Sequence, residues 1–342
     1  MTDFTSRYPR IFVTDAIAPA FNYMAKVLFK PFSFVKWLKL GLVAFLVSLG
    51  SGGAGGNFNF NFPSKQEIPS ETVNQFSQIG QWIESHLALV IIIGILAFLL
   101  IMIILAILIY FSSRFSFVYL DSVVKNDVQI KQSYKDNKVN GWSYFLWRII
   151  FALIALLVIL LLIGVPTTIL VLIGIKKGFT VSIILLLILT GLVFIGLIIL
   201  LAVIGQFTTD FVLPIMYLRK LRILEAWKVL LALMRNNKGH FFLYLLMRIV
   251  LGLASVMILI VPCCLVGCIF APFYMLMVGL VLLALKYPLI WIIIVLCGLI
   301  INLISSFVYQ TIFSPVTVFF RVYPLIYLEG FGDEFAMSRF VI

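Results

Sequence analysis

Arg148, Arg248 and Asp210 are the residues of this chain whose type and place could do chemistry. The two arginines occupy matching positions in the octets YFLWRIIF, from Tyr144, and YLLMRIVL, from Tyr244, each leading into a long uncharged run, and Asp210 closes another such run. A charge so placed is not left alone: an arginine at the bilayer centre costs about 2.5–3.5 kcal/mol on insertion scales, so near an end it snorkels, pairs or binds an anion. Two chemistries follow. Asp210 pairs with one arginine and fixes helix register, or the guanidinium groups grip a lipid phosphate through their planar forks. Catalysis needs converging acids, bases or nucleophiles. His86 and His240 stand at the borders of apolar runs, and Thr167, Thr168, Thr190, Asn302, Ser305 and Ser306 inside them suit interhelical hydrogen bonds. No catalytic residue, metal site or cofactor is expected. Cys263, Cys264, Cys268 and Cys297 lie in apolar sequence without the spaced Cys or His partners of a zinc site, and read as small hydrophobes.

The elements that position these residues follow from hydropathy. Of 342 residues 63% are hydrophobic and only 11% charged, and the mean hydropathy is +1.19, which excludes an ordinary soluble domain. A hydrocarbon core of about 30 Å takes about 20 apolar residues in helix. Uncharged runs cover 87–113, 149–175, 178–209, 249–285 and 287–320. A shorter run after Phe32 reaches spanning length if Lys36 and Lys39 snorkel. The expected fold is all-α: a polytopic transmembrane helix bundle of about six spans, residues 1–342 forming one integral membrane domain. Residues 263–285 fit either a seventh span or a re-entrant pair broken at Pro272.

The sequence GSGGAGGNFNFNFPS at 50–64 contains a G-x-G-x-x-G at Gly50, Gly52 and Gly55. The fingerprint has meaning only between a strand and a helix, where backbone N–H groups meet a pyrophosphate. Here it follows an apolar helix and precedes a polar loop, so it reads as a helix stop, and the alternating Asn and Phe as an interfacial strip. No nucleotide is expected there. The formal charge of +12 is concentrated: nineteen Lys and Arg fall in the segment through Lys39, in 112–148 and in 206–248, against four in the alternate connections. The positive-inside rule then puts the N-terminus and both basic connections, read as loops, in the cytoplasm of a prokaryotic inner membrane. The expected partners are membrane lipids, with anionic headgroups on the cytoplasmic side, and no nucleic acid, since no basic groove or recognition helix is visible. Trp37, Trp142, Trp147 and Trp227 read as interface anchors.

The matched octets are each followed by Val-Pro, at Val165-Pro166 and Val261-Pro262, and are preceded by Ile130/Tyr134 and Ile223/Trp227, with Ile17/Phe21 as a third copy. Three units of interfacial helix, span, span are suggested, over 14–111, 125–205 and 219–313, with a truncated interfacial segment at 314–342 opened by the echo of Gln206 and Pro214 in Gln310 and Pro315. The clearest amphipathic helix places Ile223, Trp227, Leu230, Leu231 and Met234 on one face.

The stretches FVKWLKLGLVAFLVSLGSGGAGGN and DFVLPIMYLRKLRILEAWKVLLALMRNN resemble uncharacterised prokaryotic multi-pass membrane proteins of unknown function. More distantly they resemble the membrane domain joined to some glycerophosphodiester phosphodiesterases, whose catalytic domain has no counterpart here. The resemblance implies a membrane module and carries over no active site. The function expected is a non-catalytic inner-membrane protein acting as an envelope or lipid-associated module. A small-solute or lipid transporter is the alternative, and an intramembrane enzyme the third reading.

Overall fold

The computed structural model describes residues 12–50, 84–178, 180–284 and 290–335; the glycine-rich and Asn/Phe stretches expected as a helix stop and interfacial strip lie outside them. Among the described residues the fold is all-α, without a strand. Its helices are α1 (Ile17–Phe29), α2 (Phe34–Leu49), α3 (Leu87–Val124), α4 (Ile130–Asp136), α5 (Lys138–Ile159), α6 (Val165–Lys177) and α7 (Val181–Phe207). They continue with α8 (Leu213–Arg219), α9 (Ile223–Asn236), α10 (Lys238–Ala284), α11 (Ile290–Ile312) and α12 (Ser314–Glu329). π turns at Leu160–Gly164 and Thr208–Val212 weld α5 to α6 and α7 to α8. Among the described residues five rods are long and apolar enough to cross a membrane: Leu87–Val124, Lys138–Lys176, Val181–Arg219, Lys238–Leu280 and Ile293–Ile312. This is the signature of a membrane protein.

Each rod has two unlike parts. The outer parts, such as 87–105 of α3 and 184–200 of α7, are apolar and exposed almost all round, as lipid-facing helices are. The inner parts converge on a buried base: Ser112–Val124 of α3, Thr208–Leu218 across α7 and α8, and Phe241 and Tyr244 of α10. The segments 112–148 and 206–248, expected as basic loops, are therefore mostly helix, and much of their polar content is internal. Ser113, Ser116, Ser122 and Thr208 return their hydroxyl protons to the carbonyl four residues back, which lets polar side chains be buried in a helix without orphaned donors.

The centre of the base is α12, expected only as a truncated interfacial segment. Residues 322–328 are buried on every side, the pattern of a helix enclosed in a core rather than laid on a surface. Tyr244 stacks on Tyr323 and Tyr327 at centroid distances of 5.4 and 5.1 Å, and Phe211 meets Tyr244 at 4.7 Å. The buried hydroxyls find carbonyls, Tyr323 on Val13 and Tyr327 on His240, so the aromatic cluster also ties α12 to the segment before α1 and to the start of α10.

Close packing is made by small residues. A Cβ on Gly41 would lie 2.3 Å from Thr311 Oγ1, one on Gly50 2.4 Å from Ser112 Cβ, and one on Gly141 2.7 Å from Arg114 Cγ. These contacts seat α2 between α11 and α3, and α5 against α3. α2 runs antiparallel to the inner half of α3, with Lys36 Nζ on Asn126 Oδ1 at 2.7 Å and Ser112 Oγ on the Val47 carbonyl at 2.5 Å. Its 16 residues make about 24 Å of helix, short of a hydrocarbon core.

Proline behaves differently from expectation in α10, which passes through Pro262 and Pro272 as a single 47-residue helix, neither broken nor divided. In an apolar setting the backbone groups on either side have no water to turn to, so the helix continues around the one bond missing at each proline. On α9 the buried face is Ile223, Ala226, Leu230 and Leu233, whereas Leu231, placed by the sequence on the apolar face, is 55% exposed. The spacing i, i+3, i+7, i+10 follows the base more closely than the wider stripe did.

Candidate functional site

Where the apolar runs end in the base, the helices surround a cavity of about 330 Å³. α2 contributes Ala44, Val47 and Ser48, and α3 contributes Tyr119. Gln206, Thr209 and Asp210 come from the end of α7 and its π turn, Arg248 from α10, and Gln310, Thr317, Phe320 and Arg321 from α11 and α12.

The π turn is a local consequence of Pro214. A proline ring crowds the carbonyl four residues back, and widening the helix by one residue relieves the clash. Leu213 N–H then bonds to the Thr208 carbonyl, and the Thr209 carbonyl, five residues before a proline without N–H, has no donor at that position. Arg321 supplies one, Nη1 to Thr209 O at 3.1 Å. The same turn brings Asp210 to face α10.

Asp210 is 3% exposed. Its Oδ2 accepts from Gln206 Nε2 at 2.6 Å, Tyr244 OH at 2.9 Å and Arg248 Nε at 3.1 Å. The ion pair is thus made through Nε alone, while the guanidinium lies 3.6 Å from the centroid of the Phe320 ring. Also in the lining, Tyr119 OH bonds to Thr317 Oγ1 at 3.0 Å. Burial pushes the Tyr323 hydroxyl above its ordinary range despite the opposing pull of Arg248.

Arg148 stands apart from this cavity. It has no carboxylate partner among the described residues; Nη1 bonds to Ser112 Oγ at 3.0 Å and Ser113 Oγ at 3.3 Å, and Nη2 to the Gly50 carbonyl. The structure therefore brings Arg248 to Asp210 and leaves Arg148 on hydroxyls and a backbone carbonyl where α2, α3 and α5 meet. A second arginine there, Arg114, is 7% exposed, lies 3.6 Å over the Tyr134 ring and bonds to Tyr110 OH at 3.2 Å. Of the tryptophans, Trp142 is 51% exposed. Trp37 donates to the Thr311 carbonyl at 2.7 Å, and Trp147 meets Trp227 at 5.8 Å, so these three pack against the base. Cys263, Cys264, Cys268 and Cys297 are free thiols, and among the described residues no cluster could hold a metal ion.

In the sequence Gln206 and Gln310 stand out only as echoes of one another, and Arg321 does not stand out. Two signals were readable: Gln206 lies one turn from Asp210, and Pro214 frees a carbonyl that a donor must meet. That Arg321 is the donor depends on the burial of α12.

The arrangement defines an all-α membrane protein in which the inner parts of α3, α7, α10 and α11 meet around an arginine-lined cavity. The chain belongs to a family of unknown function, DUF7544, whose pattern matches residues 11–338. No curated protein and no solved structure matches it, and the likeness to the phosphodiesterase-linked membrane domain gains no support.

Proposed function

We propose that this protein is a non-catalytic, lipid-associated module of a prokaryotic inner membrane, with the base in the cytoplasm. The observation that carries the reading is the division of every rod into a lipid-exposed apolar part and an inner part set in a base whose surface holds the excess Lys and Arg. The three donors on Asp210 Oδ2 favour a structural role for this carboxylate. Gly50 lies beside Leu108 and Ser112 of α3, and Leu87 begins that helix about 32 Å further on, one hydrocarbon thickness. The described helices suit repeat units of base helix followed by two crossings, with α4 before α5–α6 and α7, and α9 before α10 and α11. Arg148 and Arg248, at matching places in α5 and α10, each reach back to the preceding rod, which supports that repeat.

The test combines topology with lipid content. Reporter fusions at Asn137 and Asn237 read cytoplasmic and one at Ser64 reads outside, and mass spectrometry of the purified chain finds retained anionic phospholipid. A cytoplasmic signal at Ser64, or no retained phospholipid, ends the proposal. A small-solute or lipid transporter is the second reading, favoured by the polar cavity where the rods meet. Substrate uptake by vesicles containing only this chain distinguishes it.

A further inference from the structure

The donors lining the cavity are not used up. Arg248 commits Nε to Asp210, and Arg321 commits Nη1 to the Thr209 carbonyl. The remaining guanidinium N–H groups of both residues, and the side-chain amide of Gln310, make no hydrogen bond to any described residue. Two guanidinium charges face one carboxylate, so the cavity keeps one positive charge uncompensated among the described residues. Asp210 Oδ1, by contrast, is an acceptor without a described donor. Planar forks and an amide N–H around a cationic hollow match a tetrahedral oxyanion, and a nearby carboxylate oxygen matches a hydroxyl or ammonium on the same molecule. About 330 Å³ is the share of roughly ten waters, room for a phosphate and a small polar substituent. The depth suits a headgroup: Arg248 directly precedes the uncharged run 249–285, and Thr209 ends the run 178–209.

We propose that this cavity binds a phosphate group through Arg248, Arg321 and Gln310, with Asp210 Oδ1 accepting from a donor that the phosphate or its substituent carries. Where the phosphate belongs to a phospholipid, the proposal rests on the lipid-associated reading and specifies its binding site. Arg321 anchors the group, because its charge has no carboxylate among the described residues; Arg148, on the α2–α3–α5 side, takes no part.

The test uses the full chain in nanodiscs. One arm titrates inorganic phosphate calorimetrically into discs of phosphatidylcholine alone. The other counts phosphatidylglycerol adducts by native mass spectrometry in discs doped with that lipid. Either arm giving one saturable site supports the proposal: the lipid arm alone identifies a headgroup, the phosphate arm alone a free anion. Arg321→Gln then weakens binding at least about tenfold, the loss of one charge-assisted contact, and Arg321→Lys weakens it less. Arg235→Gln, which removes an exposed charge on α9, leaves it unchanged. Saturable binding in neither arm, or Arg321→Gln binding as well as wild type, overturns the proposal. If the Arg321 variants do not fold, Gln310→Leu, which breaks no described hydrogen bond, serves instead, with a loss expected and no change overturning. Loss of the site with bulk phospholipid still retained tests this inference alone. Wild type that retains no phospholipid but binds inorganic phosphate rejects the lipid-associated reading and leaves the anion site standing.

Discussion

Replacing Asp210 by Asn keeps the shape of the side chain and removes its charge, which isolates the ion pair from the packing around it. Asp210 and Arg248 have side-chain exposures of 4% and 18%, so the pair is largely withdrawn from water. Breaking a buried pair from one side destabilises by about 3–5 kcal/mol, because the other charge is left uncompensated. Arg248 keeps some contact with the cavity and its place over Phe320, at 3.6 Å from the ring centroid, so Asp210→Asn is expected near the lower end, about 3 kcal/mol. Arg248→Ala leaves the carboxylate with Gln206 and Tyr244 only and also removes the contact with Phe320, and is expected to destabilise by about 3–4 kcal/mol. The double variant removes both charges and so loses about 4 kcal/mol rather than the sum, a coupling of about 2–3 kcal/mol. Reversible unfolding of the purified chain in mixed micelles, followed by far-ultraviolet circular dichroism against the mole fraction of denaturing detergent, measures all four corners of the cycle. Additivity within about 0.5 kcal/mol, the tolerance for independent sites, would show that the pair has no mutual energy and refute the reasoning.

Three further outcomes follow from packing and titration. Gly41→Ala puts a Cβ within 2.9 Å of the Thr311 backbone and should destabilise by about 1–3 kcal/mol, whereas Gly205→Ala, in open space within α7, should be neutral or stabilise by up to about 1 kcal/mol; the same unfolding assay compares them. Gly50→Ala, facing Ser112 and the Leu108 carbonyl, should behave like Gly41→Ala and disturb Arg148 as well, so a Gly50→Ala protein as stable as wild type counts against the α2–α3 contact. Burial raises the pKa of Tyr23, Tyr323 and Tyr327 above the ordinary 10.0. The folded state therefore holds these protons more tightly, and the stability is fully present below pH 10.0 and lost as pH rises toward the folded values. A melting temperature that falls steadily above about pH 10, with a shallower fall in Tyr23→Phe, is expected; a flat profile removes this argument.

The sequence by itself determined the solvent. Uncharged runs such as 87–113 and 178–209 leave helix as the main way to satisfy the backbone in lipid, and that argument needs no partner residue. It also singled out Arg148, Arg248 and Asp210, since a charge beside such a run is conspicuous along one dimension. It did not distinguish the two arginines: their octets match, but one meets a carboxylate in a π turn and the other two serines and a carbonyl. Nor did it place α12. A helix such as SPVTVFFRVYPLIYLE has the composition of an interfacial segment, and its burial depends on Tyr244, Phe211 and Val13, which lie far away in the chain. Only the tertiary structure brings Arg321 to the carbonyl that Pro214 leaves free and thereby sets two guanidinium groups in one cavity. The reason is physical: transfer from water to lipid is decided residue by residue, whereas a cavity depends on which distant surfaces close around it.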